Sequence, residues 1–130
     1  MKSLIIQTKQ KKEVADITAV IDEAIELENS ENAYLCHIFI THTTACLATC
    51  DLDPGTDLDM LDAFDKIIPK LNYRHPHDPS HVPNHILSSI IGASVTIPVV
   101  KDKLFLGRWQ RVVLVELDGP KDREVIINLI

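Results

Sequence analysis

Apolar and polar residues alternate along several short stretches of this chain, and in three others the apolar positions recur every three to four residues. Residues 3–8 read as a strand, with β-branched Ile5 and Ile6 inside it. The basic run Lys9-Gln10-Lys11-Lys12 is a solvated turn. Ile17, Val20, Ile21, Ala24 and Ile25 then keep the 3.6-residue period. Asp16 is placed to cap that helix, which is predicted to run to about Glu28 with Asp22, Glu23 and Glu26 mostly on the solvent side. Residues 33–41 form a strand that is apolar on both faces, the pattern of a central strand covered on both sides. His37 inside it is expected as a hydrogen-bonded core residue. A second strand runs to about Cys50. Asp53 as N-cap and Pro54 as first helical residue predict a helix to about Ile68, where Pro69 stops it. Leu58, Leu61, Phe64 and Ile68 make its apolar stripe, and Asp57, Asp59, Asp62 and Asp65 a solvated face.

The remaining chain is mostly strands. Pro83 opens a short helix to Ile91, ended by Gly92. Strands follow at 93–100, with Pro98 marking an edge or bulge, at 104–106, at 108–117 and at 124–130. Lys101-Asp102 and Asp118-Gly119-Pro120-Lys121 are the turns between them. Hairpin spacing of this kind makes an antiparallel sheet. The expected fold is α+β, a single compact domain over residues 1–130, with helices on one side of packed, mostly antiparallel sheets.

Charge and composition narrow the function classes. The net charge of −6 argues against a general binder of nucleic-acid backbones. No apolar run approaches the roughly 20 residues of a membrane span, and the start of the chain lacks the apolar core of a signal peptide. The expected location is the cytoplasm. Three cysteines, Cys36, Cys46 and Cys50, are then expected as free thiols used in packing.

The candidate chemistry is histidine chemistry. Four of the six histidines and three of the seven prolines fall between Tyr73 and His85. Proline fixes the backbone while imidazole titrates near neutrality and ligates metals, so this segment is expected as a shaped loop that projects imidazoles. A fifth, His42, opens the polar run His42-Thr43-Thr44. Three readings follow. His42, His75 and His85 converge on a divalent metal, with Asp51 or Asp53 completing or supporting the set. Alternatively they bind an anion such as phosphate, with Thr43, Thr44, Ser88, Ser89 or Arg108, and serve as acid or base. Thirdly, they hold loops together. His77 and His81 are expected as exposed loop residues, Asp78 as an Asx turn, and Trp109 as core or interface.

Several motifs in order, His42-Thr43-Thr44-Ala45, Asp53-Pro54, Tyr73-Arg74-His75, Asn84-His85-Ile86, residues 92–98 and Leu106-Gly107-Arg108-Trp109-Gln110, resemble the YjbQ-like family over essentially the whole chain. That family is often labelled secondary thiamine-phosphate synthase. The resemblance implies a compact α+β domain, usually a homotrimer, and recurrent polar positions at His42, His75, His85 and Gln110; with the anion reading of the histidines, the expected partner is a small phosphorylated metabolite. Many members carry Asn-Glu shortly after the His-Thr-Thr element. This chain has Thr49-Cys50-Asp51-Leu52-Asp53 there, about one residue shorter, which leaves Asp51 or Asp53 to replace the glutamate.

Overall fold

A computed structural model describes the whole chain, Met1–Ile130. Its strands are β1 (Lys2–Gln7), β2 (Glu13–Asp16), β3 (Leu35–Ile40), β4 (Ala45–Cys50), β5 (Ser94–Val100), β6 (Lys103–Leu104), β7 (Arg111–Glu116) and β8 (Asp122–Leu129). Its helices are α1 (Thr18–Glu28), α2 (Thr56–Ile67) and α3 (Val82–Ile91). Two antiparallel sheets face each other, a larger one in the order β1-β8-β3-β5-β6 and a smaller one in the order β2-β7-β4. The α+β expectation with packed antiparallel sheets holds.

Alternation explains the layers. Cys36, Ile38, Ile40, Val125, Ile127, Ile97 and Val99 of the larger sheet meet Ala45, Leu47, Val112 and Leu114 of the smaller one, and α1 adds Ile21, Ala24 and Ile25 to this core. The opposite face of the smaller sheet carries Cys46, Val113 and Val115, covered by Leu87 of α3 and by Phe64 and Ile68 in and after α2. Strand β7 is thus buried on both faces, which is why Val112–Leu117 reads as a continuous run.

Four expectations need correcting. The helix after Cys50 starts at Thr56, because Asp53-Pro54-Gly55 is spent on a turn: Thr56 N–H donates to the Asp53 carbonyl at 2.9 Å, and Gly55 takes φ 93°. Leu58 of its predicted stripe is consequently exposed. Residues 107–110 form a turn, so the following strand begins at Arg111. Glu13–Asp16, too short to show a period, is a strand paired with β7. Finally, β3 is central but covered on one face only. Its outer residues His37 and Phe39 face away from the core, opposite Asn128 and Ile126 of β8, and Phe39 is 40 % exposed.

Two cores therefore share β7, and both sheets stop at the same two ends. The candidate chemistry sits at those ends.

Candidate functional site

At one end of the core between the sheets, apolar packing gives way to a buried charge pair. Glu116 of β7 and Arg123 of β8 occupy inward positions and are 0 % and 2 % exposed. Arg123 Nε donates to Glu116 Oε2 at 2.8 Å, and its Nη2 bonds the other oxygen. Thr8 Oγ1 and the Asp118 amide donate to the same carboxylate at 2.7 and 2.9 Å. Burial alone would raise the Glu116 carboxyl. Arg123, the Asp118 amide and Thr8 outweigh it and hold the group below the usual carboxylate range. Arg123 Nη2 also donates to the Thr44 hydroxyl at 3.0 Å and its carbonyl at 3.2 Å. The His42-Thr43-Thr44 run is thereby anchored to the pair.

Backbone partners decide where each imidazole proton sits. His42 Nε2 accepts the Glu124 amide at 2.8 Å, so the proton is on Nδ1. Burial, and then the charge of Arg123, lower the His42 pKa and favour this neutral form. His85, on α3, donates from Nδ1 to the Thr43 carbonyl at 3.1 Å, which leaves the Nε2 lone pair free. His75 Nδ1 accepts the Asp78 amide in a longer bond of 3.3 Å, which places its proton on Nε2. The His75 and His85 rings stack, with centroids 5.2 Å apart and planes at 15°. His77 meets His75 edge-on at 6.1 Å.

The loop that carries them is tied down by carboxylates. Asp78 accepts the Ser80 amide at 3.0 Å, the expected Asx turn, and lies 3.1 Å from His81 Nε2. His81 Nδ1 is 3.9 Å from Asp118. Asp118 is buried between Lys11 and Lys121. Burial opposes its ionisation, but the two lysines outweigh it and carry its pKa from 3.8 down to about 2. Ser89 Oγ donates to the His85 carbonyl at 3.0 Å and so supports the helix. Ser88 is buried beside the Cys46 thiol. Burial pushes the Cys36 and Cys46 thiols up to about 12, as packing residues.

The other nominated residues lie elsewhere. Asp51 and Asp53 follow Cys50, and Arg108 and Gln110 precede Arg111, where β4 and β7 pair at their far end. Five residue steps at about 3.4 Å, roughly 17 Å, separate that end from Ala45 and the imidazoles. Asp51, Asp53, Arg108 and Trp109 line a cavity of about 220 Å³ there. Arg111 pairs with Asp16 at 2.8 Å, while the Arg108 guanidinium lies 5.0 Å from the Trp109 ring centroid. Gln110 Oε1 accepts the Gly107 amide at 2.8 Å and closes the turn. Within one chain, then, neither Asp51, Asp53, Arg108 nor Gln110 accompanies the histidines. A larger cavity of about 970 Å³, beside Lys66, Lys70 and Pro83, holds none of the nominated residues.

A metal requires lone pairs, and of the three imidazoles only His85 offers one; His42 and His75 have theirs occupied by backbone amides. No three His, Cys, Asp or Glu side chains form a ligand set in the chain. The structure brings His75 and His85 together as a stacked pair, while the His42 ring is held separately by the Glu124 amide and reaches the pair only through its neighbour Thr43, whose carbonyl holds His85; the ring N–H groups suit an anion rather than a metal. Sequence reading missed Glu116, Asp118, Arg123, Lys11 and Lys121. Their one signal was a glutamate inside the apolar run of β7.

Curled antiparallel sheets with three helices and an imidazole-lined end define an α+β protein of a distinct architecture. The chain belongs to the YjbQ-like family: the model described as UPF0047 protein YjbQ-like matches residues 2–130. A UPF0047 protein of Archaeoglobus fulgidus is 32 % identical over 126 residues, covering 96 % of this chain and 97 % of the relative. YugU of Bacillus subtilis is 33 % identical over 130 residues, covering 99 % and 98 %. Among solved structures, a yjbq/upf0047 family protein of Clostridium acetobutylicum superposes with a TM-score of 0.88 at 32 % identity, over 100 % of both chains. A protein of Aeropyrum pernix gives 0.89 at 29 % identity, covering 99 % of this chain and 96 % of the other. No helix of the chain is long and apolar enough to cross a membrane.

Proposed function

We propose that the imidazole end binds a small phosphorylated metabolite, and that the reaction it serves is a transfer of the thiamine-phosphate synthase type, in which a pyrimidine diphosphate joins a thiazole phosphate and pyrophosphate leaves. The observation that carries this reading is the arrangement of ring protons. His75 Nε2 and His42 Nδ1 carry ring protons and His85 Nε2 keeps a lone pair; His75 and His85 are stacked, and His42 adjoins Thr43, whose carbonyl holds His85. Negative charge that develops on a departing diphosphate is stabilised by preorganised donors of this kind. The His85 lone pair takes a proton from the substrate or from a P–OH group. A divalent metal would have to displace the Glu124 and Asp78 amides from their imidazoles, so this reading routes no step through a metal. In keeping with the family resemblance, the working form is taken to be a homotrimer in the cytoplasm.

A second reading, binding without turnover, is favoured by one observation: Asp51, Asp53 and Gln110, which would orient a substrate, lie at the far end of the chain's own sheet. The discriminating experiment measures thiamine phosphate formed by the pure protein and by His75→Ala and His85→Ala. Loss of an acid or base lowers turnover about 10²- to 10⁴-fold, and the enzyme reading expects a fall of that size in at least one variant. No turnover by the parent protein, with phosphate binding intact, selects the binding protein.

A further inference from the structure

The cavity of about 970 Å³ is a space that the imidazole end does not use. It lies between the end of α2, the start of α3 and the β1–β2 turn, and no histidine lines it. Its volume is that of a small-molecule site, about 300–1,000 Å³. Part of its lining is apolar. Ile68 is buried and Phe64 half-buried, and both pack with Leu87, Val113 and Val115 in the core beneath. Pro69 and Pro83 stiffen two of its walls.

The rest of the lining is cationic, in a chain whose net charge is −6. Three lysines, Lys12, Lys66 and Lys70, stand against two aspartates, Asp62 and Asp65. Lys12 is paired with Asp65. Lys66 and Lys70 are in no ion pair. Lys66, in the last turn of α2, suits the dipole of its helix. Lys70 lies beyond the helix and has no such reason to be there. Nor is it on a loose tail. The Tyr73 hydroxyl donates to the Pro69 carbonyl, and the Tyr73 amide donates to the Leu71 carbonyl at 3.1 Å, which folds the segment back on itself. On another wall Ser80 is fixed by Asp78, which accepts its amide at 3.0 Å and its hydroxyl at 2.5 Å. The walls are thus set by contacts within the chain.

We propose that this cavity binds a phosphate monoester with a flat apolar body, held by Lys66 and Lys70 at the phosphate and by Phe64 and Ile68 at the body. Two free ammonium groups match a phosphate monoester, which carries close to two negative charges at neutral pH. A carboxylate would leave one of them without a counter-charge. Inorganic phosphate would leave the apolar wall bare. The inference is independent of the reaction proposed for the imidazole end and stands whether or not pyrophosphate binds there.

The experiment titrates phenyl phosphate into ¹⁵N-labelled protein at about pH 8 and follows the backbone amides. Saturable shifts are expected at Phe64, Ile68, Lys70 and Ser80. They should persist in His85→Ala, which alters the imidazole end. With Lys66→Gln and Lys70→Gln combined, the affinity read from the same amides should fall at least about tenfold. Both lysines are exposed, so the remaining amides are expected to keep their positions and report an intact fold. Inorganic phosphate should bind at the same amides about tenfold more weakly than phenyl phosphate, because it buries no ring. Absence of saturable shifts at these amides in the parent overturns the proposal. So do shifts confined to the imidazole end and removed by His85→Ala, or an affinity that the double lysine variant leaves unchanged. Equal affinities for the two phosphates overturn the assignment of an organic ligand.

Discussion

The two ends of one small sheet are built on opposite principles. At the imidazole end, one set of charged and polar groups is withdrawn from water and serves itself: Arg123, Glu116, Thr8, Thr44 and the Asp118 amide form a closed network. At the other end Arg108 rests on an exposed indole, and Asp51 and Asp53 face solvent. Strands β4 and β7 supply both ends, so the difference comes from what the neighbouring elements bring. Strand β8 feeds an arginine into the first end, while the second is closed only by a turn. A buried network holds its members in one arrangement, and through Thr44 it holds the His42 run in place. Groups left exposed and unpaired are free to meet another molecule.

The sharpest way to break this contrast is to remove one member of the buried pair. Arg123→Met leaves the Glu116 carboxylate buried without its cation, and is expected to cost about 3–5 kcal/mol in urea unfolding. Arg108→Met at the open end is expected to cost the isolated chain about 1 kcal/mol or less, the worth of an exposed cation on an aromatic ring. Equal costs for the two substitutions would dissolve the distinction. Gly119→Ala should come next in size. A Cβ there collides with the Gln10 carbonyl and the Glu116 side chain, and overpacking of this kind costs about 1–3 kcal/mol. No such loss is expected for Gly92→Ala from crowding, where a Cβ meets nothing, although φ 117° makes that position strained.

Acid sharpens the comparison further. Asp118 ionises at about 2 in the folded chain against a usual 3.8, and Glu116 is also lowered. A depressed carboxyl contributes stability that is present above its unfolded pKa and lost as pH falls through the folded value. The urea midpoint should therefore drop between about pH 4 and pH 2. Asp118→Asn should flatten that slope by roughly 1–2 kcal/mol, discounted because Lys11 and Lys121 are solvent-exposed. A slope unchanged by Asp118→Asn would remove Asp118 from the account.

What was legible in the chain followed from periodicity and from turn chemistry. The α1 stripe, the α3 start at Pro83 and its end at Gly92 were readable because local residues set them. The shaped histidine loop was readable too, since proline and Asx chemistry act within a few residues. The start of α2 was misread because Asp53-Pro54 suits a helix entry and a turn equally, and Gly55 decided for the turn. The Arg123–Glu116 pair was hidden because the turn between them carries the chain from one sheet to the other, and only the facing of the two sheets makes these strand residues neighbours. No side-chain pattern announces that a backbone amide of Glu124 will hold His42. Placing Asp51 with His42 failed for a simple reason: a strand carries residues apart, and Thr44 and Asp51 lie at either end of β4.

The central claim is that backbone partners set the imidazole protons so that two rings donate and one accepts. Long-range ¹H–¹⁵N correlation of the histidine rings near pH 8 reads this directly. The structure predicts protonated Nδ1 on His42 and His85 and protonated Nε2 on His75. Inorganic pyrophosphate should then move the free Nε2 of His85 and the N–H of His75. A spectrum with all three protons on Nε2, or one that pyrophosphate leaves unshifted at every imidazole, would contradict the account.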